Sequence, residues 1–140
     1  MKILLPVDGS AHSARVARHV IRMVHGCADY EILLLNVQEP IDAPELRGHM
    51  PACEIDAMQE SRGGDAMTSA RALLDAAGVA CVPEVVLGPV AASIARIAGE
   101  RQCEAIVMGS HGAGALTSAL VGSVTAQVIR HAPCPVTVVK

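Results

Sequence analysis

The sequence predicts an α/β fold, a single domain built on a doubly wound, five-stranded parallel sheet with helices on both faces. Three observations carry this expectation. Five short apolar segments alternate with helix-period stretches, which implies parallel strands joined by right-handed crossovers. The chain has 140 residues, a common size for one domain. Half of it is hydrophobic, with no Phe, no Trp and a single Tyr. An aliphatic supply of this kind suits strands that are covered on both faces, and it excludes a disordered chain.

The elements follow in order. Lys2 to Val7 forms the first strand and ends at the polar break Asp8-Gly9-Ser10. Ser10 is placed to cap a helix reaching Val24. On that helix Ala17, Val20, Ile21 and Val24 share one face, and Arg15, Arg18 and Arg22 share the other. The second strand is Glu31 to Val37. Gln38 to Pro51 reads as a loop, broken by Pro40, Pro44, Gly48 and Pro51. A helix from about Glu54 to Ala77 comes next, with a weak point at Gly63-Gly64 whose propensity leaves open whether the helix kinks or breaks there, and with Gly78 as its C′ residue. Ala80 to Leu87 is the third strand; Pro83 leaves a gap in any hydrogen-bond ladder and favours an edge position. Val90 to Arg101 is helical, Ala105 to Met108 is the fourth strand, and Gly109 to Gly122 is a long glycine-rich loop. The last helix spans Ser123 to His131, and Val136 to Val139 closes the sheet.

Composition removes several function classes. The formal net charge is −3 and no basic run is present, so neither the charge nor the stacking platforms of a nucleic-acid binder are available. The run Met1 to Leu5 meets Pro6 and Asp8 at once. It is too short for a signal peptide or a membrane span, and a cytoplasmic protein is expected. Five scattered cysteines without a CxxC pair read as reduced, mostly buried thiols. His12, His19, His25 and His49 lack metal-ligand spacing and are expected to face solvent. His131, in the last turn of its helix, complements the dipole.

Open parallel sheets bind ligands beyond the carboxyl ends of their strands, where the strand order reverses. Order 2-1-3-4-5 would put the crevice between the loops after strands one and three; order 3-2-1-4-5 would put it between the loops after strands one and four. The loop after strand three is only Gly88-Pro89, whereas the loop after strand four is long and glycine-rich and the loop after strand one carries Asp8. Order 3-2-1-4-5 gathers both polar features and is preferred. The glycine-rich loop has the spacing G-x2-G-x9-G-S, through Gly109, Gly112, Gly122 and Ser123. Glycines let a backbone close on a phosphate, successive N–H groups form an anion-binding concavity, and the following helix start adds its dipole. The Ser123 hydroxyl is suited to a phosphate oxygen or a metal ion, or to capping the helix. The loop is not a P-loop, because it lacks G-K-[ST].

On these residues the chain resembles the universal stress protein family over essentially its whole length, 1–140, as an adenine nucleotide alpha hydrolase-like domain of the ATP-binding subgroup. The glycine spacing is that subgroup's signature. Ile3 to Ser10 is similar to the family's opening strand and loop, and Met108 to Gly112 and Val128 to Val136 are similar to its C-terminal part. The resemblance implies ATP, ADP or AMP as ligand. Pro6, Val7 and Asp8 would lie near the ribose or adenine, and Val37 would line the adenine pocket. Met108, Gly109, Gly112, Gly114, Gly122, Ser123 and Val124 would hold ribose and phosphates, flanked by Ser110 and His111. Many members carry Arg or Lys after the second glycine, but here Ala113 stands there, and no lysine or arginine falls between Gly109 and Ser123. Mg²⁺ or Mn²⁺ is therefore expected to help meet the phosphate charge.

Fast phosphoryl transfer needs cationic clamps and an activated nucleophile. With neither evident, and with no carboxylate near His111 in sequence, ATP hydrolysis or autophosphorylation is expected to be slow at most, and His111 to sit beside the ligand without acid–base work. The resemblance also implies a homodimer through the edge strand Val136 to Val139, which fits the pairing tendency of an apolar edge. The leading expectation is a stress-response regulator that binds adenine nucleotide; the alternative is a dimerisation module of the same family without nucleotide.

Overall fold

The computed structural model describes residues 1–41, 48–112 and 120–140. Five strands and four helices alternate among them: β1 (Lys2–Pro6), α1 (Ala11–Val24), β2 (Glu31–Gln38), α2 (Ala52–Ala76), β3 (Cys81–Leu87), α3 (Val90–Glu100), β4 (Ala105–Gly109), α4 (Ser123–His131) and β5 (Val136–Val139). The strands form one parallel sheet in the order β3-β2-β1-β4-β5, as the sequence predicts. Each expected element is present, with boundaries shifted by no more than two residues.

Side chains alternate across the sheet with a period of two, and this divides the core. Ile3, Leu5, Ile32, Leu34 and Val107 face α1 and α2, where they meet Val16, Val20, Met67, Ala70 and Leu74. Leu4, Leu33, Leu35, Ile106 and Met108 face α3 and α4, packing on Ile94, Ile97, Ala98 and Val128. Aliphatic side chains fill both layers. In α1 the predicted polarity holds: Ala17, Val20 and Val24 are buried, while Arg15, Arg18 and Arg22 are exposed.

The sequence left open whether the helix breaks at Gly63-Gly64; α2 runs unbroken from Ala52 to Ala76. The reason is tertiary. A Cβ at Gly63 would run into both methyls of Val85 and approach the Asn36 amide oxygen to 3.2 Å. Gly63 thus lets the helix lie directly on β2 and β3, and packing offsets its poor propensity. The helix ends in the bonds of a Schellman motif, with Gly78 N–H donating to the Asp75 carbonyl and Val79 N–H to that of Leu74.

Pro83 lies on edge strand β3, opposite Leu34. The four residues of the other edge, β5, are half-buried. Among the described residues no helix is long and apolar enough to cross a membrane. All five cysteines are free, but they are less buried than expected: only Cys103 is buried, and Cys27 and Cys53 are exposed. Burial pushes the Cys81, Cys103 and Cys134 thiols up, with Asp75 adding to the effect at Cys81. These three lie at or just before the starts of β3, β4 and β5, at the opposite end of the sheet from the loops after β1 and β4.

Candidate functional site

β1 and β4 pair only at Ile3–Ala105 and Leu4–Ile106, whereas β1 stays paired with β2 through Pro6–Leu35. Beyond Leu4 the central strands part, and a crevice opens at the point where the strand order reverses. Its cavity is about 400 Å³, the size of a small-ligand pocket.

The floor and one wall are apolar. Val7, Leu35 and Val37 come from β1, its continuation and β2, Val90 and Ile94 from α3, and Met108 from β4. The opposite rim is polar: Asp8 from the β1–α1 connection, His12 and Ser13 from the first turn of α1, His111 and Gly112 from the loop after β4, and Ser123 and Thr125 from the start of α4. An apolar slot ending in a polar rim suits a flat heterocycle carrying an anionic tail.

Asp8 is built into a tight knot. Its Oδ1 accepts from Ser10 N–H at 2.9 Å and from the Ser13 hydroxyl at 3.0 Å. Ser13 Oγ in turn accepts from the amides of Asp8 at 3.1 Å and Gly9 at 3.2 Å. Ser10 does occupy the N-cap position of α1, but its side chain makes no capping bond; its buried hydroxyl has no partner among the described residues. Ser13, in the first turn, ties the loop instead. Behind the knot, Asn36 Nδ2 donates to the Val7 carbonyl at 2.8 Å and holds the end of β1 open.

The loop after β4 is held by its backbone. Ser110 N–H donates to the Val139 carbonyl at 2.9 Å, and Gly122 N–H to the Ser110 carbonyl at 2.7 Å. These two amides are occupied by the protein's own carbonyls. What Gly122 supplies is the N-cap position of α4, without a side-chain cap. Ser123 is then the first helical residue and not the cap. The N–H groups of Ser123, Val124 and Thr125 lack intrahelical acceptors, as at any helix start, and the three residues line the cavity. The Thr125 hydroxyl donates to the Gly109 carbonyl at 2.9 Å and fixes α4 against the end of β4.

Gly112 approaches the first loop so closely that a Cβ on it would lie 2.7 Å from Asp8 Oδ2. Its lack of a side chain is what brings the two loops together. Of the expected site residues, Pro6, Val7, Asp8, Val37, Met108, Gly109, His111, Gly112, Gly122, Ser123 and Val124 line the cavity. Ser110 does not. It is buried, and its hydroxyl lies 3.2 Å from His111 Nδ1. Gly114 lies outside the described residues.

His12 was expected at the solvent surface. It is half-buried in the cavity wall, with its ring centroid 6.5 Å from that of His111. The legible signal was position: His12 is the second residue of α1, and a helix that starts at the switch point aims its first turn into the crevice. Ser13 was missed for the same reason. Among the described residues no group of three His, Cys, Asp or Glu is placed to hold a metal.

The universal stress protein family model matches residues 1–140. A universal stress protein of Methanocaldococcus jannaschii is 31% identical over 99% of this chain and 81% of its own. Among solved structures, the hypothetical protein MJ0577 superposes with a TM-score of 0.82 at 29% identity, covering 99% of this chain and 94% of that one. A universal stress family protein from Arabidopsis thaliana, solved with AMP bound, gives a TM-score of 0.71 at 21% identity, covering 100% of this chain and 91% of that one.

Proposed function

Because this chain belongs to the universal stress protein family, we propose that it is a stress-response regulator that binds ATP, or another adenine nucleotide, in the crevice between the loops after β1 and β4. One observation carries the reading: the cavity joins an apolar slot at Val7, Val37 and Ile94 to an uncapped helix start at Ser123. A base fits the first and a phosphate chain the second. The AMP held by the Arabidopsis relative supports the ligand class.

The phosphates meet the α4 amides and the Ser123 hydroxyl. No lysine or arginine lines the cavity among the described residues, so the wall supplies dipoles more than fixed charge. Mg²⁺ or Mn²⁺ fits this donor set. Such ions keep several waters and bind largely through substrate phosphates, which leaves the protein to offer one oxygen, that of Ser123. When bound, the ion neutralises phosphate charge. The residues present orient the nucleotide; none is placed as a cationic clamp for rapid transfer. A regulator needs binding rather than turnover, and any hydrolysis is slow.

The second part of the reading is a homodimer. β5 is an edge of the sheet, with Val136, Val138 and Val139 half-buried, and a short apolar edge is a template for a second copy. The protein is expected to elute as a dimer at micromolar concentration, measured by light scattering.

Calorimetric titration of ATP in Mg²⁺ and in EDTA tests the binding reading. Saturable binding that weakens at least severalfold in EDTA is expected. Absence of binding in both, together with no nucleotide released on denaturing the purified protein, leaves the dimerisation module in its place.

A further inference from the structure

We propose that Cys103 and Cys134 are a peroxide-responsive thiol pair, which closes to an intramolecular disulfide across the starts of β4 and β5 and ties together the two ends of the segment that carries the glycine-rich loop and α4. This goes beyond the nucleotide reading and does not depend on it.

The backbone brings the two residues together. β4 and β5 are neighbouring parallel strands, with Ile106 opposite Val136 and Ile106 N–H donating to the Pro135 carbonyl at 2.9 Å. Cys103 stands three residues before Ile106 and Cys134 two before Val136. Both therefore flank the start of a ladder whose backbones run about 4.8 Å apart, inside the Cα spacing that a disulfide spans. The turn after α3 carries Cys103, whose N–H closes the helix end on the Ala98 carbonyl at 2.8 Å. The turn after α4 lies against the same helix end: a Cβ on Gly99 would stand 3.8 Å from Pro133 Cγ, beside Cys134. Both side chains pack in the layer between the sheet and α3 and α4, Cys103 within it and Cys134 at its margin. Burial is the main cause that raises the Cys103 thiol, and the nearby Cys134 is the next.

The other three cysteines lie elsewhere. Cys81 packs on the opposite face of the sheet, on a strand three places from β4, roughly 14 Å away. Cys27 and Cys53 are exposed, just after α1 and in the first turn of α2.

Both thiols of the pair are free in the structure, and Cys134 is the less buried, so it meets the oxidant first. Its thiolate attacks one oxygen of hydrogen peroxide. The O–O bond breaks, Cys134 becomes a sulfenic acid, and the departing hydroxide takes up a proton as water. The Cys103 sulfur then attacks the sulfenic sulfur; the S–S bond forms, the S–O bond breaks, and a second water leaves with the thiol proton. Two thiols and one peroxide give one disulfide and two waters. Burial keeps both thiols protonated, so thiolate is scarce and the reaction slow. The pair answers sustained oxidant and not a trace of it. A bridge across so long a loop restricts the unfolded chain, and the oxidised protein gains stability.

The test uses the full chain as C27S/C53S, which removes the exposed thiols and with them crosslinks between molecules. The three remaining cysteines fall in separate tryptic peptides, Ala72–Arg96, Gln102–Arg130 and His131–Lys140. The protein is treated with hydrogen peroxide, its residual thiols are blocked, and it is digested without reductant. Gln102–Arg130 is expected linked to His131–Lys140, with the monomer lighter by about 2 Da for the two hydrogens lost, and dithiothreitol should reverse the link. The oxidised form should melt several degrees above the reduced form, a rise absent in C134A.

Finding these two peptides unlinked, or carrying added oxygen as sulfinic acid, overturns the pair. A link from the Cys81 peptide to either one overturns it equally. If C27S/C53S does not fold, the same digest of the native protein reads the same two peptides. Failure to bind ATP, measured on the same preparation, would sink the nucleotide reading and leave the disulfide standing.

Discussion

The loop after β1 is tied by side chains, whereas the loop after β4 is tied by its own backbone. In the first, the amides of Asp8, Gly9 and Ser10 are all taken by the side chains of Ser13 and Asp8. In the second, Ser110 and Gly122 donate to main-chain carbonyls, and α4 begins with no side chain over its first turn. The difference teaches how one crevice combines a rigid wall with a receptive one. A loop whose donors are spent cannot cradle an anion, but it can hold Asp8 in place. A helix that starts at a glycine keeps its donors available for a ligand.

Breaking the first loop should have the largest effect. Ser13→Ala removes one hydroxyl that serves two amides and a carboxylate, and it leaves those groups partly buried without their partner. A loss of about 2–3 kcal/mol is expected, measured by urea denaturation, with nucleotide affinity reduced as Asp8 loosens. A loss below ~0.5 kcal/mol would mean that water replaces the hydroxyl, and the first loop would not be the rigid wall.

An intermediate effect is expected from Thr125→Val, which preserves shape but strands the Gly109 carbonyl. This one bond fastens α4 to β4, and its removal should cost about 1 kcal/mol. The smallest change sharpens the contrast. Gly122→Ser gives α4 the side-chain cap it lacks. Stability should rise by about a few tenths of a kcal/mol, while ATP affinity falls, because the new hydroxyl competes for an amide that the phosphate uses. A gain in stability with unchanged affinity would show that the α4 amides do not bind phosphate.

How far the site was legible depends on which force placed each residue. Strand and helix positions follow from apolar periodicity, and the strand order followed from the two polar loops having one crevice to share. Gly109, Gly112 and Ser123 were visible because glycine spacing is a local property of the chain, and Asp8 because it breaks the apolar run of the first strand. His12 was not visible. Periodicity gives a lone histidine on an amphipathic helix no pattern; its one signal was its place in the first turn at the switch point, and the packing of α1 sets its ring centroid 6.5 Å from that of His111. Gly63 stays undecided in the sequence for a related reason. Propensity marks it as a helix breaker, yet its neighbour is Val85 on a strand far along the chain.

The order of elements, the two apolar layers and the loop that faces the crevice were determined by the sequence alone, because they rest on periodicity and backbone freedom encoded within a few residues. Which amides are spent, which histidine lines the wall and why a glycine pair does not break α2 were decided only in the tertiary structure. Those outcomes depend on contacts between distant segments, such as Gly122 N–H with the Ser110 carbonyl and Gly63 with β3. Local chemistry limits such contacts, but only the packing of helices on the sheet selects among them.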